Sequence, residues 1–278
     1  MTRILVTGAT GFIGRHLVPQ LRIAGHEVTE ANSQSGDIGE ESTWSKFQKA
    51  ELIVHLAGKT FVPDSWADPA GFIKCNLQGT VAALNYCKTN DARLVFLSSY
   101  LYGNPLTLPI PETAPLIANN PYALSKKLAE EACEFYAENF DLTVTILRPF
   151  NVYGQGQPEH FLIPSIIRQV NAGKTIHVKD LEPKRDYVYV GDLIDAIVKA
   201  IALRRGLNIF NIGTGLSYSV AELIALIQQV KGTHLDVQAS GEVRVGEVMD
   251  TRADVEKAKA ALNWRPTVSL LEGLSKIG

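Results

Sequence analysis

The sequence predicts an α/β fold in which helices cover a parallel sheet, and three observations carry this. The first is a strand–turn–helix unit at the start of the chain. Ile4, Leu5 and Val6 form an unbroken apolar run, as in a strand buried on both faces. Gly8, Gly11 and Gly14 follow at intervals of three, and Phe12, Ile13, Leu17 and Val18 repeat at helical spacing. The second is that further apolar runs, at 51–58, 93–97 and 142–149, alternate with helical patterns. The third is size: 278 residues, 46% of them hydrophobic and 20% charged, bury a large core in one or two domains.

Composition narrows the function. A formal net charge of −2 provides no basic surface for nucleic acid. No apolar run approaches the ~18 residues that span a bilayer, and the first run is cut short by Thr7 and Gly8, unlike a signal peptide. Cys75, Cys87 and Cys133 are odd in number and lack metal spacing, so they read as reduced thiols of a cytoplasmic protein without a metal.

The glycine turn has a chemical reading. Without Cβ atoms it lets a pyrophosphate approach the backbone, and the helix behind it aims free N–H groups and a positive dipole end at that anion. The spacing is G-x-x-G-x-x-G, in Thr7-Gly8-Ala9-Thr10-Gly11-Phe12-Ile13-Gly14. This string resembles the extended branch of the short-chain dehydrogenase/reductase superfamily, the nucleotide-sugar epimerases, dehydratases and reductases. The resemblance implies a Rossmann-type doubly wound sheet with a smaller C-terminal substrate-binding α/β region. It implies a dinucleotide-binding unit at 1–153, a substrate region at 154–278, and residues 187–205 packed back onto the first unit. NAD or NADP, a nucleotide-diphosphate sugar and a homodimer are expected with it.

The first helix is predicted over 11–24, stopping at Gly25, with Pro19 as a local conflict inside it. The next strand, 26–31, ends at Asn32 and Ser33, where NAD-binding units often place an acid for the ribose. An Asp there repels a 2′-phosphate, whereas Asn and Ser donate to one. Glu30 is the alternative ribose partner, so NAD and NADP both stay open. Asp37 and Ile38 sit where the family contacts adenine; Asp37 also reads as a plain turn residue. Leu56, Ala57 and Gly58 close the strand at 51–58, small enough for a cofactor to pass. Residues 62–65 are expected to be a loop and 69–90 one helix. That helix carries Asn76, which resembles the family's N-x-x-G-T asparagine and braces the active-site backbone by that match.

The strand at 93–97 leads to Ser98 and Ser99, and Tyr102-Gly103 follows, one residue closer than in the family's S-S-x-x-x-Y-G. Anchoring on the strand end selects Ser99 as the catalytic hydroxyl, and anchoring on Tyr102 selects Ser98. A Pro-rich loop over 104–121 is expected to cover the site. Pro121 then opens a long helix in which Tyr122 and Lys126 share a face. A free Tyr has a pKa of about 10. An adjacent ammonium and a positive nicotinamide ring favour the phenolate, and reaching pH 7 takes roughly 4 kcal/mol. Tyr122 then exchanges a proton with a sugar oxygen as hydride moves. Lys126 holds the nicotinamide ribose in this reading.

Arg148-Pro149-Phe150-Asn151 resembles the family's R-P-x-N. By that match Pro149 and Phe150 pass near the nicotinamide and Asn151 reaches the nucleotide-sugar, while Arg148 reads as a structural ion-pair partner. Leu162 and Pro164 lie in a segment like the family's nucleotide-base platform. Residues 177–183 suggest a hairpin. Arg185 and Arg244 resemble the two arginines that the family forks onto the substrate diphosphate; Arg185 could instead pair with Asp186 or Asp192.

Three reactions fit such a site. Family dehydratases place Asp-Glu after the catalytic hydroxyl, and here Tyr100-Leu101 stand there, which disfavours dehydration. The missing strand acid leans toward a 4-keto(-6-deoxy) sugar reductase, with a 4-epimerase that keeps its NAD as the alternative. Residues 181–186 also look like GDP-sugar members with reductase activity. A non-catalytic cofactor sensor would break the Tyr/Lys pair, and both residues are present.

Overall fold

The structure is a computed structural model that describes residues 1–242 and 247–277. The chain opens with β1 (Arg3–Thr7), α1 (Phe12–Ile23) and β2 (Glu27–Ala31). A short α2 (Glu41–Trp44) leads to β3 (Leu52–His55). Then come α3 (Val62–Ala67), α4 (Pro69–Ile73), a π-helical turn over Lys74–Gln78, and α5 (Gly79–Asn90). β4 (Arg93–Leu97), α6 (Pro121–Phe140) and β5 (Val144–Pro149) follow. The remainder comprises β6 (Asn151–Tyr153), α7 (Leu162–Asn171), β7 (Ile176–Val178), β8 (Lys184–Arg185), β9 (Tyr187–Tyr189) and α8 (Val190–Ala200). It closes with β10 (Leu207–Ile212), β11 (Tyr218–Ser219), α9 (Val220–Lys231), β12 (Val237–Ala239), α10 (Glu256–Leu262) and α11 (Leu270–Ser275).

Six strands form one parallel sheet in the order β10-β5-β4-β3-β1-β2. This is the Rossmann-type sheet that the opening motif implies. Chain order reverses between β1 and β3, and at such a switch point the strand ends leave a crevice for ligands. Ile4, Leu5 and Val6 are each at most 1% exposed, so β1 is buried on both faces. Ile4 and Val6 pack with Leu17, Leu21 and Ile197 on one side; Leu5 packs with Ile53, Leu84 and Ala129 on the other. A third cluster, built on Ile166, Ile167, Leu223, Ile227 and Leu274, holds the C-terminal half. β6 and β9 pair in parallel between the two halves.

The structure departs from the sequence expectations at four places. Residues 62–65 are helical rather than loop: Pro63 fits the first turn of α3, and Asp64 there favours the helix dipole. The helix expected over 69–90 is interrupted by the π turn, an extra residue that periodicity hides. Residues 177–183 make no hairpin; β7 pairs in parallel with β12, and β8 pairs with β11. The 104–121 loop is a strap more than a cover. Ile110 is fully buried and exchanges backbone hydrogen bonds with Arg252 and Asp254, while Glu112 accepts from the Asn211 amide at 2.8 Å. Pro19 stays inside α1 without ending it.

Candidate functional site

The glycine turn is locked to the neighbouring strand end. Gly8 has φ +67°, and a Cβ there would lie 2.8 Å from the Ala57 nitrogen. A Cβ on Gly14 would collide with the Gly8 and Ala9 backbone. The Ala57 amide also donates to Thr7 Oγ1 at 3.2 Å, and Thr7 Oγ1 meets His55 Nδ1 at 2.8 Å. Burial holds His55 down to about 3, so the imidazole is neutral at ordinary pH. The Gly8–Gly11 turn thus sits against the Leu56–Ala57 backbone, with Gly58 next in the chain, and Phe12 and Ile13 pack their side chains onto the core behind it.

Three features describe the end of β2. Asn32 accepts from the Gln34 amide at 2.9 Å and starts a turn that exposes Ser33. Glu30 is taken by Arg22 at 2.8 Å. Lys46, which sequence reading missed, places its Nζ 2.9 Å from the Ser35 carbonyl, beside that turn. Asp37 pairs with Lys74 at 2.8 Å and accepts from the Gly39 amide; the Lys74 bond holds its carboxyl below the usual range. Ile38 packs next to it and accepts from the Trp44 indole.

Asn76 is 1% exposed inside the π turn and spans two elements. Its Oδ1 accepts from the Lys59 amide at 2.8 Å, and its Nδ2 donates to the Lys59 carbonyl at 3.0 Å and to Ser125 Oγ at 2.8 Å. A Cβ on Gly58 would sit 2.8 Å from Asn76 Oδ1. One buried amide therefore ties the end of β3 to the helix that carries Tyr122 and Lys126. Asn120 Oδ1 caps that helix by accepting from the Ala123 amide at 2.8 Å.

The Tyr/Lys pair differs from the expectation. Lys126 Nζ donates to the Leu97 carbonyl at 2.7 Å and lies 4.5 Å from the Phe96 ring centroid. Burial lowers it to about 8. Burial also pushes the Tyr122 phenol up to about 12, outweighing the Ser99 side chain, which favours the phenolate. The expected lowering of the phenol toward 7 is thus reversed by its burial. Of the two candidate serines, Ser99 faces Tyr122, whereas Ser98 continues the β4 ladder with a buried hydroxyl that has no partner.

Pro149 and Phe150 are buried at the end of β5. Tyr100 stacks on Phe150, centroids 4.9 Å apart and planes at 13°, and hydrogen-bonds Asn151 Oδ1 at 3.1 Å. Arg148 is structural, as read: its Nη2 meets Glu130 at 2.6 Å and its Nη1 reaches the Tyr102 hydroxyl at 3.0 Å.

In the C-terminal half, Arg185 pairs with Glu247 and donates to the Val248 carbonyl at 2.6 Å. The alternative partners named from sequence are engaged elsewhere: Asp186 accepts from Thr214, Gly215 and Ala253, and Asp192 from Thr267 and Val268. Contacts this far apart in sequence leave no local signal. Arg244 lies outside the described residues. Leu162 is exposed and Pro164 half-buried at the start of α7. The cleft wall is formed just before them. A cavity of about 480 Å³ opens between Lys59, Phe61, Asp68 and Phe72 on one half and His160 and Phe161 on the other. Phe61 meets His160 edge-on at 4.3 Å, and Phe72 meets Tyr122 edge-on at 6.4 Å. Aromatic side chains on both halves were the sequence signal for this closure, visible only once the halves are placed. Among the described residues, no three His, Cys, Asp or Glu side chains are grouped to hold a metal, and no helix is long and apolar enough to cross a membrane.

Comparison with known proteins agrees with this geometry. The model of the NAD dependent epimerase/dehydratase family matches residues 4–213. A UDP-glucose 4-epimerase of Mycolicibacterium smegmatis is 32% identical, over 99% of this chain and 96% of that protein. The GDP-6-deoxy-D-mannose reductase of Pseudomonas aeruginosa is 29% identical, over 99% and 95%. The solved structure of RMD from Pseudomonas aeruginosa complexed with NADPH superimposes with a TM-score of 0.88 at 28% identity, over 99% of this chain and 97% of that one. The crevice at the β1–β3 switch point, the Tyr122/Lys126 helix and these matches together place the chain in the NAD dependent epimerase/dehydratase family, as an enzyme that uses NAD or NADP.

Proposed function

We propose that the chain reduces the 4-keto group of a nucleotide-diphosphate sugar at the expense of NADPH. The end of β2 carries this reading. Glu30 is paired with Arg22, Asn32 and Ser33 replace the ribose acid, and Lys46 stands beside the turn. That set offers donors and a cation to a 2′-phosphate, and its one carboxylate, Glu30, is countered by Arg22.

Bound NADPH supplies the hydride. The protein supplies the proton and the orientation. With its phenol pushed up to about 12, Tyr122 is protonated and ready to donate to the carbonyl oxygen as charge develops there. Ser99 steadies the same oxygen, and Lys126, anchored by the Leu97 carbonyl, holds a positive charge at the floor of the site. Gly8, Gly11 and Gly14 admit the pyrophosphate; Asp37 and Ile38 flank the adenine. On the substrate side, Asn151 donates to the ligand and Arg185 exchanges Glu247 for the diphosphate, with Arg244 as its second arginine.

The similarity to UDP-glucose 4-epimerases favours a second reading, a 4-epimerase with permanently bound NAD. One experiment separates the two. Cofactor released from the purified protein is identified, and NADPH is then mixed with 4-keto sugar nucleotides. Stoichiometric NADPH oxidation supports reduction; retained NAD with no net oxidation supports epimerisation.

Two further features support the remaining expectations. Phe135 and Phe140 are exposed at 54% and 38% on α6 beside the half-buried Tyr136, which suits burial of α6 against a second copy. The three thiols are free, which fits a cytoplasmic enzyme.

A further inference from the structure

Tyr100 stands where family dehydratases carry an acid, and its hydrogen bond has a forced direction. The Asp186 carbonyl only accepts, so the Asn151 Nδ2 that meets it at 3.2 Å is correctly the amide nitrogen. Oδ1 must then face Tyr100, and the Tyr100 hydroxyl must be the donor across 3.1 Å. The proton of Tyr100 is thereby committed to Asn151. Its oxygen keeps its lone pairs, and among the described residues no donor is bonded to them.

The ring is fixed as well as the hydroxyl. It stacks nearly parallel on Phe150, itself 3% exposed, at the end of β5. Tyr100 is half-buried and directly follows Ser99, whose side chain faces the Tyr122 phenol, and its hydrogen-bond partner Asn151 is the β6 residue that pairs with Tyr187 of β9. Tyr187 is 6% exposed and its hydroxyl has no partner. The cleft at this point therefore presents a fixed acceptor, the Tyr100 oxygen, beside the proton-donating Tyr122.

We propose that Tyr100 is a specificity-determining residue whose oxygen accepts a hydrogen bond from the sugar hydroxyl next to the reacting carbonyl. This rests on the reductase reading above. In a 4-keto-6-deoxyhexose the carbons flanking the carbonyl are C3, which bears a hydroxyl, and C5, which bears the ring oxygen and the methyl group. The hydroxyl read by Tyr100 is therefore the one on C3. An acceptor that cannot turn into a donor rejects sugars lacking that proton, because its own proton is held by Asn151.

The test compares the wild type with Tyr100→Phe, which keeps the ring and its stack. Steady-state reduction is measured with an accepted 4-keto sugar nucleotide and with its 3-deoxy analogue, and binding of the free nucleoside diphosphate serves as control. The expected result is a KM about tenfold higher for the 3-hydroxy substrate in the variant, with kcat within about threefold. KM for the 3-deoxy analogue and affinity for the nucleoside diphosphate are the same in both proteins. An unchanged KM for the 3-hydroxy substrate overturns the assignment, and so does an equal loss on the 3-deoxy analogue, which marks a structural role. A wild type that reduces no 4-keto sugar nucleotide overturns the reductase reading itself, and the Tyr100 assignment with it.

Discussion

The Lys126 ammonium is bound to the Leu97 carbonyl, 2.7 Å away at the end of β4, while the Tyr122 phenol answers to burial and to Ser99. The two members of the Tyr/Lys pair thus have separate tasks. In the proposed reaction one serves as a protonated acid and the other as a buried cation held by the sheet.

This division sets a pH profile. Lys126 is charged below about 8 and loses its proton as the pH rises through that value. Reduction monitored as kcat/KM, which reports the free enzyme, is predicted to fall above about pH 8 by roughly tenfold per pH unit. Tyr122, at about 12, adds no limb below it. In Lys126→Met, kcat/KM is low and flat across the same range. A wild-type profile that is level to high pH, or an alkaline limb that persists in Lys126→Met, contradicts the assignment.

Asn76 predicts a loss that the isosteric acid does not repair. Two of its three bonds need N–H donors, toward the Lys59 carbonyl and Ser125 Oγ; the latter is already committed as a donor to the Tyr122 carbonyl. Asn76→Ala is expected to lower stability by about 3 kcal/mol and kcat/KM ten- to a hundredfold, by loosening Gly58–Lys59 and the start of α6. Asn76→Asp, which sets an oxygen against two acceptors, is expected to do no better. Urea unfolding and steady-state kinetics of both variants decide this, and recovery in Asn76→Asp would refute it.

The Arg148–Glu130 pair is 3% and 1% exposed by side chain and connects β5 to α6. Removing one partner strands a buried charge. Glu130→Ala is expected to cost about 3–5 kcal/mol in denaturant unfolding, and replacing both residues with apolar ones of similar volume to recover most of that. A loss under about 1 kcal/mol in the single variant would show that water reaches the pair.

Much of this was legible in the sequence because it depends on local chemistry. The unbroken run at Ile4–Val6, the spacing of Gly8, Gly11 and Gly14, and the four-residue step from Tyr122 to Lys126 each need only neighbours to be read. What stayed hidden depends on distant partners or on a broken period. The π turn around Asn76 adds one residue to an otherwise helical pattern. Glu247 meets Arg185 from 62 positions away, and Lys46 reaches the β2 turn from a different segment. Motif spacing left Ser98 and Ser99 equivalent because their difference depends on where a strand stops: the Ser98 amide still bonds to the Leu147 carbonyl, and the Ser99 side chain faces Tyr122.

In the proposed reaction the Tyr122 phenol donates the proton that accompanies reduction of a 4-keto sugar nucleotide. The direct measurement is NADPH oxidation with such a substrate, by wild type and by Tyr122→Phe, with NADPH affinity measured in parallel. A fall of about a hundredfold to ten-thousandfold in kcat with NADPH affinity kept is the predicted result. Wild-type turnover in Tyr122→Phe would contradict it.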